Sequence, residues 1–221
     1  FWKRVMTPIF DLRGNIIAFG GRVLDDSKPK YVNSPETLVY HKSDTVFALQ
    51  IAKKSASRRF VLCEGYMDVI SMHQAGFTNA VASLGTAFTS QHAGVLKRYT
   101  DQVILTYDSD GAGIKAALRA IPILRDAGIS ARVLNMKPYK DPDEFIKNMG
   151  ADAFKERIAQ AKNSFLFEID VLKRNYQLED PEQKTKFYQE TAKKLLQFGE
   201  PLERDNYIQA VSREQMIKEE E

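Results

Sequence analysis

Val103-Ile104-Leu105-Thr106-Tyr107-Asp108-Ser109-Asp110-Gly111-Ala112-Gly113 joins a short β-rich apolar run to an Asp/Ser/Gly cluster. A run of that length, bounded by turn-forming residues, reads as a buried strand. Immediately downstream, Ile114, Ala117, Leu118, Ile121 and Leu124 recur at helical spacing over Gly111 to Ala127. Asp108 and Asp110 therefore fall in the turn between a strand and a helix. In open α/β sheets that edge is where ligands bind. Taken alone, the turn has a second reading, in which Asp110 caps the helix and Asp108 satisfies loop amides.

The chain on either side repeats the pattern. Phe60 to Cys63 reads as a strand, followed by Glu64-Gly65 and a helix from Tyr66 to Gln74. Asn79 to Leu84 is a second strand, with a helix from Thr89 to Tyr99 after it and Thr89 as its N-cap. The opening stretch supplies the third strand, and Ala131 to Met136 the fourth. Pro142 to Met149 follows as a short helix closed by Gly150. Strand–helix alternation at this spacing implies a mostly parallel sheet covered by helices.

All four expected strands end in polar residues or glycine, and in a parallel sheet those ends share one edge. Glu64, Asp68, Asp108, Asp110, Asp141 and Asp143 would then converge. Crowded carboxylates repel one another, and their pKa values rise unless cations intervene. Oxygen-only donors suit Mg²⁺ or Mn²⁺, and two such ions can flank a phosphate during in-line displacement. Helix N-termini on the same edge favour phosphate as well.

Composition agrees. The 221 residues hold ample apolar content for a core and no run of eighteen apolar residues, so no membrane partner is expected. Cys63, the single cysteine, lies in an apolar run and reads as a core thiol. His41, His73 and His92 are scattered, so no zinc is expected. Net charge is +3 but unevenly spread. Residues 1–59 carry 11 Lys/Arg against 5 Asp/Glu, residues 60–150 carry 9 of each, and residues 151–221 carry 12 against 15. A basic first quarter beside a carboxylate-bearing middle suits a polyanionic partner.

In that first quarter, Val5 to Ile9 and Ile16 to Phe19 flank the turn Asp11 to Asn15 and read as a β-hairpin ending in Gly20-Gly21-Arg22, with continuation as strand over Arg22 to Leu24 left open. Lys30 to Thr37 reads as a loop. Lys30, Asn33 and Lys42 alternate with Tyr31 and Tyr40, a mixture suited to phosphates and stacked bases. Val46 to Lys54 looks helical. Beyond the sheet, residues 151–174, 181–198 and 201–218 read as helices anchored by Phe165, Phe187, Leu195, Leu196 and Ile208, with Glu219 to Glu221 as a frayed tail.

The series Phe19-Gly20-Gly21-Arg22, Lys30-Tyr31-Val32-Asn33-Ser34-Pro35-Glu36-Thr37, Glu64-Gly65-Tyr66-Met67-Asp68-Val69, Ala82-Ser83-Leu84-Gly85-Thr86-Ala87, Asp108-Ser109-Asp110-Gly111 and Asp141-Pro142-Asp143-Glu144 resembles the Toprim-containing core of bacterial DnaG-type primases. The resemblance covers residues 4–150. It implies an α/β fold: a Toprim-type, mostly parallel sheet flanked by helices, with a partial basic α+β subdomain before it (1–58), the metal-binding domain at 59–150, and a small helical bundle after it (151–221). It also implies metal-dependent synthesis of RNA primers from nucleoside triphosphates on single-stranded DNA in the bacterial cytoplasm, at the replication fork. By that resemblance Glu64, Asp108 and Asp110 hold the catalytic Mg²⁺ or Mn²⁺, and Asp68, Asp141 and Asp143 complete a site for a second ion. Arg22, Lys30, Tyr31, Asn33 and Lys42 would contact nucleotide or template. The family's zinc module and helicase-binding domain are expected to lie outside this chain, so the replicative helicase is expected as a partner only through an absent domain. Two other classes remain open at this point: another Toprim enzyme, such as a nuclease or topoisomerase, and a non-catalytic nucleic-acid scaffold.

Overall fold

The computed structural model describes residues 1–108 and 110–215; Ser109, the expected helix end at Lys218 and the tail Glu219 to Glu221 lie outside them. The chain forms two compact units, Phe1–Ala161 and one beginning at Lys162.

The first unit holds the parallel ladder, with strands β4 (Arg59–Cys63), β5 (Ala80–Ala82), β6 (Gln102–Thr106) and β7 (Ser130–Val133) in the spatial order β5-β4-β6-β7. Phe60, Val61, Leu62, Val103, Ile104 and Leu105 are each at most 1% exposed. Burial on both faces is what a near-continuous apolar strand predicts. The chain places β5 on one side of β4 and then returns to the other side for β6. The β4/β6 boundary is thus a topological switch point, where a crevice opens beyond the strand ends. Register brings Cys63 opposite Thr106 and Leu105 opposite Val133, so Glu64 and Asp108 emerge side by side at that crevice.

Helices α2 (Tyr66–Gln74), α3 (Ser90–Lys97), α4 (Gly111–Asp126) and α5 (Pro142–Ala159) cover the ladder. Thr89 caps α3, its side chain accepting from the His92 N–H. The expected stop at Gly150 is a break inside α5, where Gly150 takes φ 83. Beyond the break the chain resumes as helix, and its Phe154 is fully buried against Phe77 and Phe145.

The basic first quarter belongs to the same unit. β1 (Arg4–Phe10) pairs antiparallel with β2 (Ile16–Val23), which pairs with β3 (Tyr31–Asn33). The hairpin strand continues through Gly20, Gly21 and Arg22 to Val23, with Gly20 and Gly21 facing Asn33 and Val32. One sequence expectation is corrected here: Tyr31–Asn33 is a strand rather than a loop. Loop-like Asn, Ser and Pro content concealed a segment whose backbone groups find partners on β2. Ile9, Ala18 and Tyr40 join one buried cluster with Val61, Val69 and Ile104, and Phe47 exchanges backbone hydrogen bonds with Ala82. The helical reading of Val46 to Lys54 contracts to α1 (Leu49–Ala52).

The second unit contains α6 (Ser164–Lys173), α7 (Pro181–Leu195) and α8 (Pro201–Gln215), packed on Phe165, Ile169, Phe187, Phe198 and Val211. Asn163 and Asp180 cap α6 and α7. Leu196, expected as an anchor, is 69% exposed; Phe198 fills the core instead, stacked on Tyr207 at 4.0 Å.

Candidate active site

A cavity of about 360 Å³ lies at the carboxyl ends of β4 and β6. One wall is acidic, with Glu64, Asp68, Asp108, Asp141 and Asp143. The other carries Arg22, Lys30, Tyr31 and Asn33. Of the residues singled out from sequence, Asp110, Tyr40 and Lys42 are not among those lining it, Tyr40 being fully buried in the core.

The acidic groups are positioned by ordinary helix-end chemistry. Asp110 Oδ1 accepts from the Gly113 N–H at 2.8 Å at the head of α4, and Asp141 Oδ1 accepts from the Glu144 N–H at 2.8 Å at the head of α5. Asp68, in the first turn of α2, accepts from the Gly65 N–H at 3.3 Å. Each of these bonds takes one carboxylate oxygen and leaves the charge in place, so capping and ligand binding are not alternatives. Asp143 is held by the Ser71 hydroxyl and by Lys147 Nζ at 2.7 Å. Asp108 pairs more loosely with Lys140, Nζ to Oδ2 being 3.7 Å.

Crowding changes the acidity of these groups. Burial, then the charges of Asp141 and Asp108, push Asp68 up to about 7. Burial and the neighbouring Glu64 push Asp108 up to about 6, against the opposing pull of Lys140. Asp143 is partly desolvated, yet its hydrogen bonds with Lys147 and Ser71 outweigh this and hold it below the usual carboxylate range. Among the described residues, no three His, Cys, Asp or Glu side chains are gathered as a metal-holding cluster. The donor set nonetheless suits a divalent ion: it is all oxygen, and two of its members carry charge that burial and repulsion disfavour and a cation would relieve.

On the basic wall, β2–β3 pairing sets Arg22 beside Tyr31. Arg22 Cζ lies 5.6 Å and Lys30 Nζ 5.8 Å from the Tyr31 ring centroid, and Tyr31 meets Tyr66 edge-on at 5.5 Å. Asn33 donates to the Leu84 carbonyl at 3.3 Å, while its Oδ1 and the Tyr66 hydroxyl are buried without a partner among the described residues. Two glycines make room for that amide. A Cβ on Gly20 would meet Asn33 Oδ1 at 3.1 Å, and one on Gly85 (φ +69) would meet Asn33 Nδ2 at 2.8 Å. Lys42 is tied through its backbone, donating to Glu36 Oε1 at 3.0 Å and accepting from His92 Nε2 at 2.8 Å.

Sequence reading passed over four residues of this site. Ser71 and Lys147 fix Asp143, Lys140 reaches Asp108, and Gly113 lets α4 start against the Asp108 backbone. A Cβ at Gly113 would stand 2.0 Å from the Asp108 carbonyl oxygen. Only Gly113 left a local signal, as the second glycine after the aspartate pair.

Three family models match: the DNA primase catalytic core N-terminal domain over residues 1–53, a Toprim-like domain over 61–146, and the DnaB-helicase binding domain of primase over 165–219. The Escherichia coli primase catalytic core superposes with a TM-score of 0.82 at 36% identity, covering 96% of this chain and 70% of that one. The chain belongs to the DnaG primase catalytic-core family. A second DnaG catalytic domain, solved bound to single-stranded DNA, gives a TM-score of 0.82 at 35% identity, with 96% and 70% covered. The DNA primase of Clostridium acetobutylicum is 42% identical over 220 residues, which are 99% of this chain and 37% of that protein. The chain thus spans little more than a third of that full-length relative. The third match overturns one expectation: a helicase-binding segment of the DnaG family was expected outside this chain, yet its model falls on α6 to α8. Amphipathic spacing identifies a bundle without saying what the bundle binds. Among the described residues, no helix is long and apolar enough to cross a membrane.

Proposed function

We propose that this chain carries the nucleotidyl-transfer centre of a DNA primase. It would extend an RNA primer on single-stranded DNA in the bacterial cytoplasm, releasing pyrophosphate from each nucleoside triphosphate. One observation supports this above the rest: at the switch point of a parallel sheet, five carboxylates line one cavity together with Arg22, Lys30, Lys140 and Tyr31.

Arg22 and Lys30 would bind phosphate oxygens by charge-assisted hydrogen bonds, each worth about 1.5–3 kcal/mol. The Tyr31 ring, flanked by both cations, offers a face for a base or ribose. Lys42 would reach template from outside the cavity. Glu64, Asp108 and Asp110 are the residues we assign to a first Mg²⁺ or Mn²⁺, and Asp68, Asp141 and Asp143 to a second. Bound there, divalent ions would supply charge neutralisation for the attacking and leaving oxygens of an in-line displacement. In this division of labour residues 1–58 bind polyanion, residues 59–150 carry the chemistry, and the helices within 151–221 contact the replicative helicase, the last supported by the match over 165–219.

Ribonucleotide incorporation from an annealed RNA primer on single-stranded DNA, with Mg²⁺ or Mn²⁺, tests the reading. Asp108→Ala is expected to abolish incorporation and sharply weaken Mn²⁺ binding while circular dichroism stays unchanged. Metal-dependent cleavage without incorporation would refute the primase assignment. Undiminished Mn²⁺ affinity in Asp108→Ala would refute the site.

A further inference from the structure

Lys140 differs from the other cations of the cavity in being part of the acidic wall. Its root is rigid: the Lys140 N–H donates to Glu144 Oε2 at 2.7 Å, and the next residue, Asp141, caps α5 through the Glu144 N–H. Its head is loose, with the side chain 64% exposed and Nζ 3.7 Å from Asp108 Oδ2. Lys147, by contrast, grips Asp143 at 2.7 Å. A lysine is a compact charge on a flexible four-carbon stem, and exposed ion pairs are weak. A divalent ion competing for Asp108 would therefore displace this ammonium easily.

We propose that Lys140 is an exchangeable counter-ion, pairing with Asp108 when no divalent ion is bound and contacting the triphosphate of the incoming nucleotide once an ion has taken its place. The inference rests on the metal-dependent reading above. A triphosphate entering the cavity meets Arg22 and Lys30 on one side and five carboxylates on the other. Lys140 is the cation that reaches Asp108 from the acidic side, so after release it lies within the same cavity as the arriving phosphates. Its two roles have opposite signs: it competes with metal before nucleotide arrives and assists nucleotide afterwards. A residue that merely held the fold would weaken both.

Calorimetric titration of the wild-type chain, Lys140→Gln and Lys140→Arg with Mn²⁺ alone, then with inorganic triphosphate at saturating Mn²⁺, separates these cases. Lys140→Gln is expected to bind Mn²⁺ about two- to fivefold more tightly, the range for losing an exposed ion pair. It should bind triphosphate about three- to tenfold more weakly, as a solvent-screened charge-assisted contact is lost. Lys140→Arg should keep triphosphate affinity within about twofold of wild type, since the charge is retained, and should bind Mn²⁺ no more tightly than wild type, since a guanidinium pairs a carboxylate at least as well. If Lys140→Gln bound Mn²⁺ no more tightly than wild type, or bound triphosphate equally well, the counter-ion role would be overturned while the metal site stood. A wild-type chain that bound no Mn²⁺ would overturn the metal reading and this inference together.

Discussion

Asp68→Asn should make the metal-free chain more stable and less active, and the size of the gain follows from where Asp68 sits. It lies on the acidic wall with Asp141, Asp108 and Asp143 as neighbours, which with burial push its carboxyl up to about 7. In the unfolded chain an aspartate releases its proton near the ordinary value of about 3.9. The folded state therefore holds a proton that the unfolded state has lost across that window. The stability this group contributes is fully present below about pH 4 and is lost as pH rises through about 7. A shift of about three units, at about 1.4 kcal/mol per unit, caps the cost of ionised Asp68 at about 4 kcal/mol. Repulsion among the remaining carboxylates persists in the variant, so about half of that, roughly 2 kcal/mol, should be recovered near pH 8. For a chain of this size that is a Tm increase of about 4–8 °C. Thermal melts followed by circular dichroism in chelator measure it. Near pH 5, where wild-type Asp68 keeps its proton when folded, the gain should shrink by more than half. Excess Mg²⁺ should raise the wild-type Tm more than the variant's. A variant no more stable than wild type near pH 8, or an equal gain at both pH values, would show that Asp68 is not held at an ionisation cost.

Two other substitutions address the same edge. Gly113→Ala puts a Cβ 2.0 Å from the Asp108 carbonyl oxygen and should cost about 3 kcal/mol along with primer extension, whereas Gly111→Ala, with nothing within 4 Å, should be tolerated in a melt. His92 is depressed by burial, so its folded form resists protonation. The stability it provides should be present above about pH 6.5 and lost as pH falls below it. That slope is opposite in sign to the Asp68 slope. It is best read in the Asp68→Asn background, where His92→Gln should flatten it.

The sheet and its helices were legible because their signals are local. Val103 to Tyr107 had to be a buried strand, Thr89 an N-cap, and Tyr66 to Gln74 a helix, each from its own spacing. Five of the six carboxylates expected on that edge line one cavity, since parallel strands with helical crossovers leave their carboxyl ends on one side, whereas Asp110 does not line it. Long-range partners could not be. Ser71 meets Asp143 across 72 residues, Asn33 meets Leu84 across 51, and His92 meets Lys42 across 50. Tyr31–Asn33 becomes a strand only because β2 offers it a backbone ladder, which no propensity within three residues encodes. Lys140 was passed over for a related reason: a lone lysine before a helix cap looks like solvated surface until β6 brings Asp108 beside it.

The wedging of the Asn33 amide between Gly20 and Gly85 sets a gauge. The cationic strand and the loop after β5 approach as closely as two hydrogen side chains allow, and both belong to the Phe1–Ala161 unit. The spacing between the basic strands and the loop after β5 is therefore set by packing at Asn33, as the gap of a calliper is set by its stop. A Cβ on Gly85 would press on the Asn33 amide at 2.8 Å without touching a single charge. Such a variant would separate the contribution of packing at Asn33 from that of electrostatics, because every charged group would remain while the amide was displaced.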